Sequence, residues 1–258
     1  MEGDTMKTIL IHSIHPGEGK TKLAKELAGY LQLLQGKSVL LADLDFITDP
    51  HRRALGLPSS PNLEDLLKDI DTQSKTKPLF DIHFSAEEMS KYFLTHNCGL
   101  KVLSSENSQY LAEDEEIAQK LRTVMKNLKH LPFDFLIVDT DSSNRDYNQE
   151  LLIEADHVLI VMDNFRYNVS DLVHYLHKLQ NMNFSTNNFK IVLNKVPSPV
   201  QPTIEEIQQE SGLQVIGIVP ILEKICQPTT GTEDICLNVA DPANQDFIAA
   251  VQKVLTSL

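Results

Sequence analysis

Thr8-Ile9-Leu10-Ile11-His12-Ser13-Ile14-His15-Pro16-Gly17-Glu18-Gly19-Lys20-Thr21 decides how the rest of the chain is read. An apolar run ends in a glycine-bearing turn, followed by Lys-Thr and an amphipathic segment. That order predicts a strand, a phosphate-cradling loop and the start of a helix. The full spacing G-x-x-x-x-G-K-[ST] is not met, because Ile14 holds its first glycine position. The second half, Gly17-Glu18-Gly19-Lys20-Thr21, is intact. Glycines at 17 and 19 let backbone N–H groups turn toward phosphate oxygens with no Cβ in the way. A helix opening at Lys20 adds unpaired N–H groups and the positive end of its dipole. Lys20 is expected to reach the β- and γ-phosphates, and Thr21 to offer its hydroxyl to Mg²⁺.

Working outward, a strand over Met6–His12 precedes this loop, and residues 1–5 read as a loose tail. The first helix carries Leu23, Leu27, Leu31 and Leu34 on one face, a buried-helix period, and Gly36 ends it. Ser38–Ala42 reads as a buried strand that runs into Asp43-Leu44-Asp45. The period of two points both carboxylates the same way at the strand's C-terminal end. In a parallel sheet that edge is where ligands bind. Phe133–Asp139 is an apolar strand that stops at an acid, the Walker B shape, whose carboxylate meets Mg²⁺ through water in phosphate-loop proteins.

Further strands are expected over 100–103, 155–162, 189–195 and 215–219, the last closed by Pro220. Helices are expected over 62–70, with Asn62 as its cap. Others fall over 112–128, 169–179, 204–210 and 243–258, and from a capping-box start at Ser85 to about Leu94. Residues 71–85 read as a polar loop. The acids at 113–116 and the bases Lys126 and Lys129 match a helix dipole, so that charge run reads as structure. His174 and His177 lie one turn apart, and with no third ligand nearby they read as a solvated or packed pair. Repeated strand-helix alternation with near-continuous apolar strands predicts an α/β fold. The expected form is a three-layer, doubly wound, mostly parallel sheet in a single domain over 1–258.

The 258 residues carry a formal net charge of −13 and a pI near 5.1, with no run of Lys or Arg. That balance speaks against non-specific binding to nucleic acid or anionic lipid. The three cysteines, Cys98, Cys226 and Cys236, have no C-x-x-C spacing and read as reduced thiols in a cytoplasmic protein. Glu2 and Asp4 stand where a signal peptide needs bases. No apolar run is long enough to span a bilayer.

The chain resembles the MinD/ParA class of phosphate-loop ATPases in HPGEGKT (15–21), LLADLDF (40–46), FDFLIVDT (133–140), EADHVLIVMD (154–163), IVLNK (191–195) and GIVP (217–220). The resemblance implies ATP and Mg²⁺ as ligands. It places Pro16, Gly17, Glu18, Gly19, Lys20 and Thr21 around the phosphates. Thr21, Asp43 and Asp139 fall to the metal, and Asp45 orients the attacking water beside Lys20. Asn194 falls to the adenine edge, and Pro220 and the loop after it to the wall of the adenine pocket.

Three positions depart from the class. His15 stands where its signature lysine would be, Pro16 replaces a glycine, and Asp141 replaces the proline of D-x-P. In the class, that lysine reaches across an ATP-sandwiched dimer, so its loss implies slow hydrolysis. The resemblance therefore implies a weak ATPase that works as a switch, forms a homodimer and acts on a protein partner. The acidic balance predicts no nucleic-acid partner, and the C-terminal segment, with Lys253 its one base against Asp246, predicts no membrane anchor of its own. Val102-Leu103-Ser104-Ser105-Glu106 and the acidic helix after it are similar to the CpaE/TadZ branch, which marks the cell pole for pilus assembly. A capsule-type tyrosine kinase is the alternative, because P-G-E-G-K-T and Asp45 through Pro50-His51 fit it. The absence of a terminal tyrosine cluster speaks against that alternative. A pseudo-ATPase scaffold is the third reading.

Overall fold

The computed structural model describes residues 6–48, 50–142, 145–194, 202–220 and 244–258. Its centre is an eight-stranded sheet in the order β3-β4-β2-β5-β1-β6-β7-β8. The strands are β1 (Lys7–His12), β2 (Val39–Asp43), β3 (Leu94–Thr95), β4 (Lys101–Leu103), β5 (Phe135–Asp139), β6 (His157–Met162), β7 (Phe189–Asn194) and β8 (Gln214–Val219). All neighbours pair in parallel except β3, which runs antiparallel to β4 at the edge. This is the expected α/β, doubly wound arrangement.

The sheet is covered on both faces, which is why its inner strands are apolar without alternation. One apolar cluster holds Leu10, Leu40, Leu136, Val158 and Ile191 with Leu121, Val124 and Leu172 from helices. The other holds Ile9, Leu41, Ile137, Leu159 and Val192 with Leu23, Leu27 and Val251. Successive residues of one strand therefore serve opposite layers.

The helices among the described residues are α1 (Lys20–Gly29), α2 (Pro50–Ala54), α3 (Leu63–Ser74), α4 (Ala86–Ser90), α5 (Ile117–Lys129), α6 (Asp146–Ile153), α7 (Arg166–Asn181), α8 (Ile204–Ser211) and α9 (Gln245–Thr256). α1 runs on through a π turn over Tyr30–Leu34, and Gly36, at φ 61°, ends it as expected. On α9 the apolar stripe is spent inside the fold, where Phe247, Ile248, Val251 and Val254 are buried. Its approach to β8 is close: a Cβ at Gly217 would stand 2.5 Å from Val254 Cγ2.

Several boundaries differ from the sequence expectation. α3 begins after its Asn62 cap, which accepts from Asp65 N at 3.1 Å, and continues to Ser74, four residues past the expected end. Lys120 meets Asp71 at 2.6 Å there, so α5 supports the added turn. The capping box at Ser85 is present, but α4 stops at Ser90 and Leu94 enters β3. The helix expected from Ala112 starts at Ile117, after a 3₁₀ turn over Gln109–Glu113. Asp114 accepts from Glu116 N at 2.9 Å and from Lys120 Nζ at 2.7 Å, so these acids are structural. α6 was not anticipated. Its few apolar positions, Tyr147, Leu151, Leu152 and Ile153, are too short a run to show a period. Residues 1–5, Lys195, Cys226, Cys236 and the loop after Pro220 lie outside the described residues.

Candidate nucleotide site

The site forms where β1, β2 and β5 end together. Register pairs Asp43 with Asp139 and Ile11 with Asp139, so the two acids stand side by side at the C-terminal edge. The loop between β1 and α1 closes over them. It turns at Gly17 (φ 81°) and Gly19 (φ 92°), left-handed conformations that an L side chain rarely adopts. Gly19 is also the N-cap of α1 and supplies no side-chain cap. The first N–H groups of the helix face its positive end with no side-chain cap from Gly19. Beside them opens a cleft of about 630 Å³, lined by Pro16, Gly17, Gly19, Lys20 and Thr21 on one side and by Asp45, Asp141, Ser142 and Arg145 on the other. That size suits a small-molecule ligand.

Lys20 is buried, and its Nζ donates to Ser13 Oγ at 3.1 Å and to Ser142 Oγ. Thr21 Oγ1 donates to Asp139 Oδ2 at 2.7 Å. The same oxygen lies 2.9 Å from His51 Nε2. His51, on α2, is fully buried, and its backbone N–H reaches Asp43 Oδ2 at 3.2 Å. Asp43, His51 and Asp139 each offer one ligand atom, and these atoms lie within 4.8 Å of one another. It is the only such group found among the described residues. His174 and His177 are exposed and belong to no such group among the described residues.

Electrostatics follow from burial and proximity. Burial pushes Asp43 up to about 7, against the pull of His51. Burial works against charge on His51 too, but its hydrogen bond to Asp139 and the charge of Asp43 outweigh it and hold it above the usual histidine range. His12, at the end of β1, is lowered to about 4, first by burial and then by the charge of Lys20. Its Nδ1 is 3.0 Å from Thr140 Oγ1.

Asp45 faces the cleft and also shapes its own turn. Its Oδ1 accepts from Ile47 N at 3.1 Å and Thr48 N at 3.0 Å, and its Oδ2 from Thr48 Oγ1 at 2.7 Å. Burial raises it above the ordinary aspartate value despite these donors.

Glu18 turns its side chain away from the cleft: it accepts from Asp163 N at 2.7 Å and Asn168 Nδ2 at 3.1 Å. Asn194, at the end of β7, donates through Nδ2 to Glu18 O at 2.6 Å. Neither Asn194 nor Pro220 lines the cleft. Asp141, which stands where the class has proline, accepts from Tyr147 OH and, at 2.5 Å, from Asn148 Nδ2, tying β5 to α6. His15 Nε2 meets Asp171 Oδ2 on α7 at 2.9 Å.

Sequence reasoning missed His51. A histidine after Pro50 carries no periodic signal, and only the short turn of α2 brings it under the loop. It also missed Ser13 and Ser142 as partners of Lys20.

The family model described as "AAA domain" matches residues 6–191, most of the described sheet and all of the loop geometry above. The chain belongs to the AAA domain family. Among curated proteins, none matches it by sequence. Solved structures show the fold more finely. The AAA domain is similar to MinD in the MinC:MinD cell division complex of Aquifex aeolicus, at 22% identity and TM-score 0.71, covering 97% of this chain and 96% of that one. MinD of Pyrococcus horikoshii complexed with Mg-ADP matches at 19% identity and TM-score 0.71, covering 96% of each chain. A plasmid partition protein from Borrelia burgdorferi matches at 19% identity and TM-score 0.69, covering 97% of each. The fold is that of the MinD and ParA ATPases.

Proposed function

We propose that this AAA domain is an ATP-binding switch that hydrolyses slowly. One observation carries the reading. Lys20 and Thr21 open α1 behind two left-handed glycines, with Thr21 bonded to Asp139 at the ligand edge of the sheet. Backbone N–H groups at 17–21 and the Lys20 ammonium would hold the phosphates. Mg²⁺ fits the residues beneath. Asp139 Oδ1 is buried with no hydrogen-bond partner among the described residues, a cost of about 1–3 kcal/mol unless a ligand satisfies it. Thr21, Asp43 and Asp139 would hold the ion, which supplies charge neutralisation at the phosphates when bound. Asp45, at the cleft wall, is the group placed to orient water. The MinD of P. horikoshii, complexed with Mg-ADP, supports the same ligand class here.

The switch is read as a homodimer with a protein partner. The similar MinD of A. aeolicus is in complex with MinC. The partner proposed here belongs to polar localisation or pilus assembly, as in the CpaE/TadZ branch, on the strength of residues 102–106 and the acidic segment after them. A net charge of −13 supports a protein partner over DNA, whose phosphates need Lys and Arg. No helix among the described residues is long and apolar enough to cross a membrane. Calorimetric titration of ATP with Mg²⁺ tests the reading, with size-exclusion chromatography in ATP and in ADP beside it. Tight ATP binding and an ATP-dependent dimer are expected. No heat of binding would end the proposal.

A further inference from the structure

Another cavity lies at the opposite end of the sheet from the nucleotide cleft, where β1, β5 and β6 begin. It encloses about 230 Å³. Lys7 and Ile9 of β1, Phe135 of β5 and His157 of β6 line it, with Tyr30 from the π turn that continues α1 and Leu255 from the last turns of α9. We propose that this pocket binds a small amphipathic anion. Its oxyanion head meets Lys7, Lys37 and the Tyr30 hydroxyl, and its aryl or short alkyl body rests on Ile9, Phe135 and Leu255.

The charge of the lining runs against that of the chain. The sequence carries 36 Asp and Glu against 23 Lys and Arg, yet no Asp or Glu lines this cavity, while Lys7 and Lys37 do. Neither ammonium makes a hydrogen bond or ion pair among the described residues. The two acids beside the lining strands are committed elsewhere. Asp134 accepts from Ser38 N at 2.7 Å and Ser38 Oγ at 2.9 Å, and Asp156 accepts from Thr8 N at 2.8 Å. Burial holds His157 below the usual histidine range against the pull of Asp156, and Lys7 and Lys190 act in the same sense as burial. The imidazole therefore offers a hydrogen bond and no charge at neutral pH. A cleft lined by one sign of charge concentrates the opposite ion.

A buried hydroxyl points to the same ligand. Tyr30 is 5% exposed, and its oxygen accepts from Gln35 Nε2 at 3.3 Å. Its own proton has no acceptor among the described residues. Buried tyrosine hydroxyls usually find a partner, and an anionic oxygen is a strong one. The backbone here is also unusual: Gln35 N bonds Tyr30 O at 3.2 Å, closing a π turn, a feature that recurs at functional sites.

The remaining wall is apolar. Ile9 and Leu31 belong to the buried cluster between the sheet and α1 and α9, and Phe135, Leu255 and Leu258 pack against it while only partly buried. A ligand body laid there removes apolar surface from water. The volume is below the ~300–1,000 Å³ of drug-sized sites, so the ligand is small.

The pocket and the nucleotide loop lie at opposite ends of β1 and α1, so the two ligands do not compete. The test uses the full chain saturated with Mg-ATP, which fills the other cationic cleft, and follows para-fluorobenzoate by fluorine magnetic resonance. Saturable binding in the millimolar range or tighter is expected. Hexanoate and phenyl phosphate should displace the probe, and the tighter of the two names the head. Acetate and inorganic phosphate lack the body, and benzyl alcohol lacks the charge, so each should compete at least tenfold less well. Lys7→Gln combined with Lys37→Gln should weaken the probe at least tenfold. Both lysines are exposed, so this variant alters charge without touching the core. Tyr30→Phe should weaken it several-fold, and Lys126→Gln, on α5 across the sheet, should leave it unchanged. No saturable binding, displacement by acetate or inorganic phosphate as readily as by hexanoate, or full affinity in either pocket variant would overturn the assignment. Binding seen only before Mg-ATP is added would also overturn it, because the probe would then occupy the nucleotide cleft.

Discussion

Asn194 donates its side-chain amide to the carbonyl oxygen of Glu18, 2.6 Å away, so the end of β7 holds the phosphate loop from behind. The Glu18 carboxylate grips Asp163 N on the other side of the loop. The loop is therefore pinned to β6 and β7 through one residue whose side chain never enters the cleft. Asn194→Asp removes that donor and sets a carboxylate against a carbonyl. ATP affinity is expected to fall about tenfold, on the order of 1.4 kcal/mol. The adenine role proposed for Asn194 has its own check, in which ATP should displace labelled ATP far better than GTP does. If Asn194→Asp changed GTP and ATP binding in equal measure, the amide would serve the loop rather than the base.

Lys20→Ala should abolish tight ATP binding and leave the fold intact. In the described structure Nζ rests on the hydroxyls of Ser13 and Ser142. These are neutral partners that phosphate oxygens, as charged acceptors, outbid in strength. Among the described residues no ion pair ties this lysine into the fold. Calorimetry reads the loss, and thermal unfolding should move by no more than about 1 kcal/mol of stability. Unchanged affinity would end the phosphate-loop assignment.

Asp45 closes a turn in the structure, and a conservative variant separates that role from the water-orienting role proposed for it. Its Oδ1 closes the turn onto Ile47 and Thr48, a local side-chain turn of the kind aspartate and asparagine both form. Asp45→Asn keeps that acceptor and removes the carboxylate charge toward the cleft. Turnover should drop at least tenfold with stability within about 0.5 kcal/mol of wild type. Asp45→Ala should lose both. Equal turnover in wild type and Asp45→Asn would remove the water-orienting role.

How much of this was legible in the chain depends on the range of the signal. The loop glycines, Lys20, Thr21 and the strand-end acids Asp43 and Asp139 follow from local pattern, because each needs only its own strand or turn to be placed. The sheet came from apolar runs that two covering layers require. Glu18 and Asn194 were read as ligand contacts, yet their partners are 145 and 176 residues away in sequence, and no local pattern reports such pairing. His51 is the same case at shorter range: its partner Asp139 is 88 residues off. Leu94 was read as the end of a helix because a two-residue edge strand has no period to detect.

His12 gives a pH dependence with a definite sign. Its folded pKa, about 4, lies below the ordinary 6.5, because burial and Lys20 disfavour the imidazolium. Between those values the unfolded chain binds more protons, so stability rises with pH there. The stability is complete above pH 6.5 and lost as pH falls toward 4, to the extent of about 3 kcal/mol. His12→Asn is expected to be weaker than wild type at pH 7.5 through lost packing, with that deficit shrinking as pH falls across the window. Urea unfolding at several pH values reads the slope, and a parallel slope in the variant would contradict the shift.

The last expectation concerns the position where the class carries its signature lysine. His15 is turned onto its own chain: Nε2 lies 2.9 Å from Asp171 on α7, and the ring meets Tyr167 edge-on with centroids 5.9 Å apart. A cationic clamp on the transferring phosphate stabilises charge that develops in the transition state, and its absence costs on the order of a thousandfold in rate. Wild type is therefore expected to bind ATP and turn it over far below the ~10 per second of a typical enzyme. His15→Lys alone is a poor restoration, because Asp171 stands ready to pair with the new ammonium within the subunit. That carboxylate is half exposed, so the pairing is worth only about 1 kcal/mol or less, but it also aims the side chain along α7. His15→Lys with Asp171→Asn removes the competing charge and frees the lysine to reach a partner's phosphates. The double variant should exceed both single variants in turnover while ATP affinity stays within a few-fold of wild type. Single-turnover and steady-state assays at concentrations above and below dimer formation distinguish the effect from tighter pairing. A wild type already turning over at enzyme-like rates would show that another residue supplies the charge, and the slow-switch reading would fall with it.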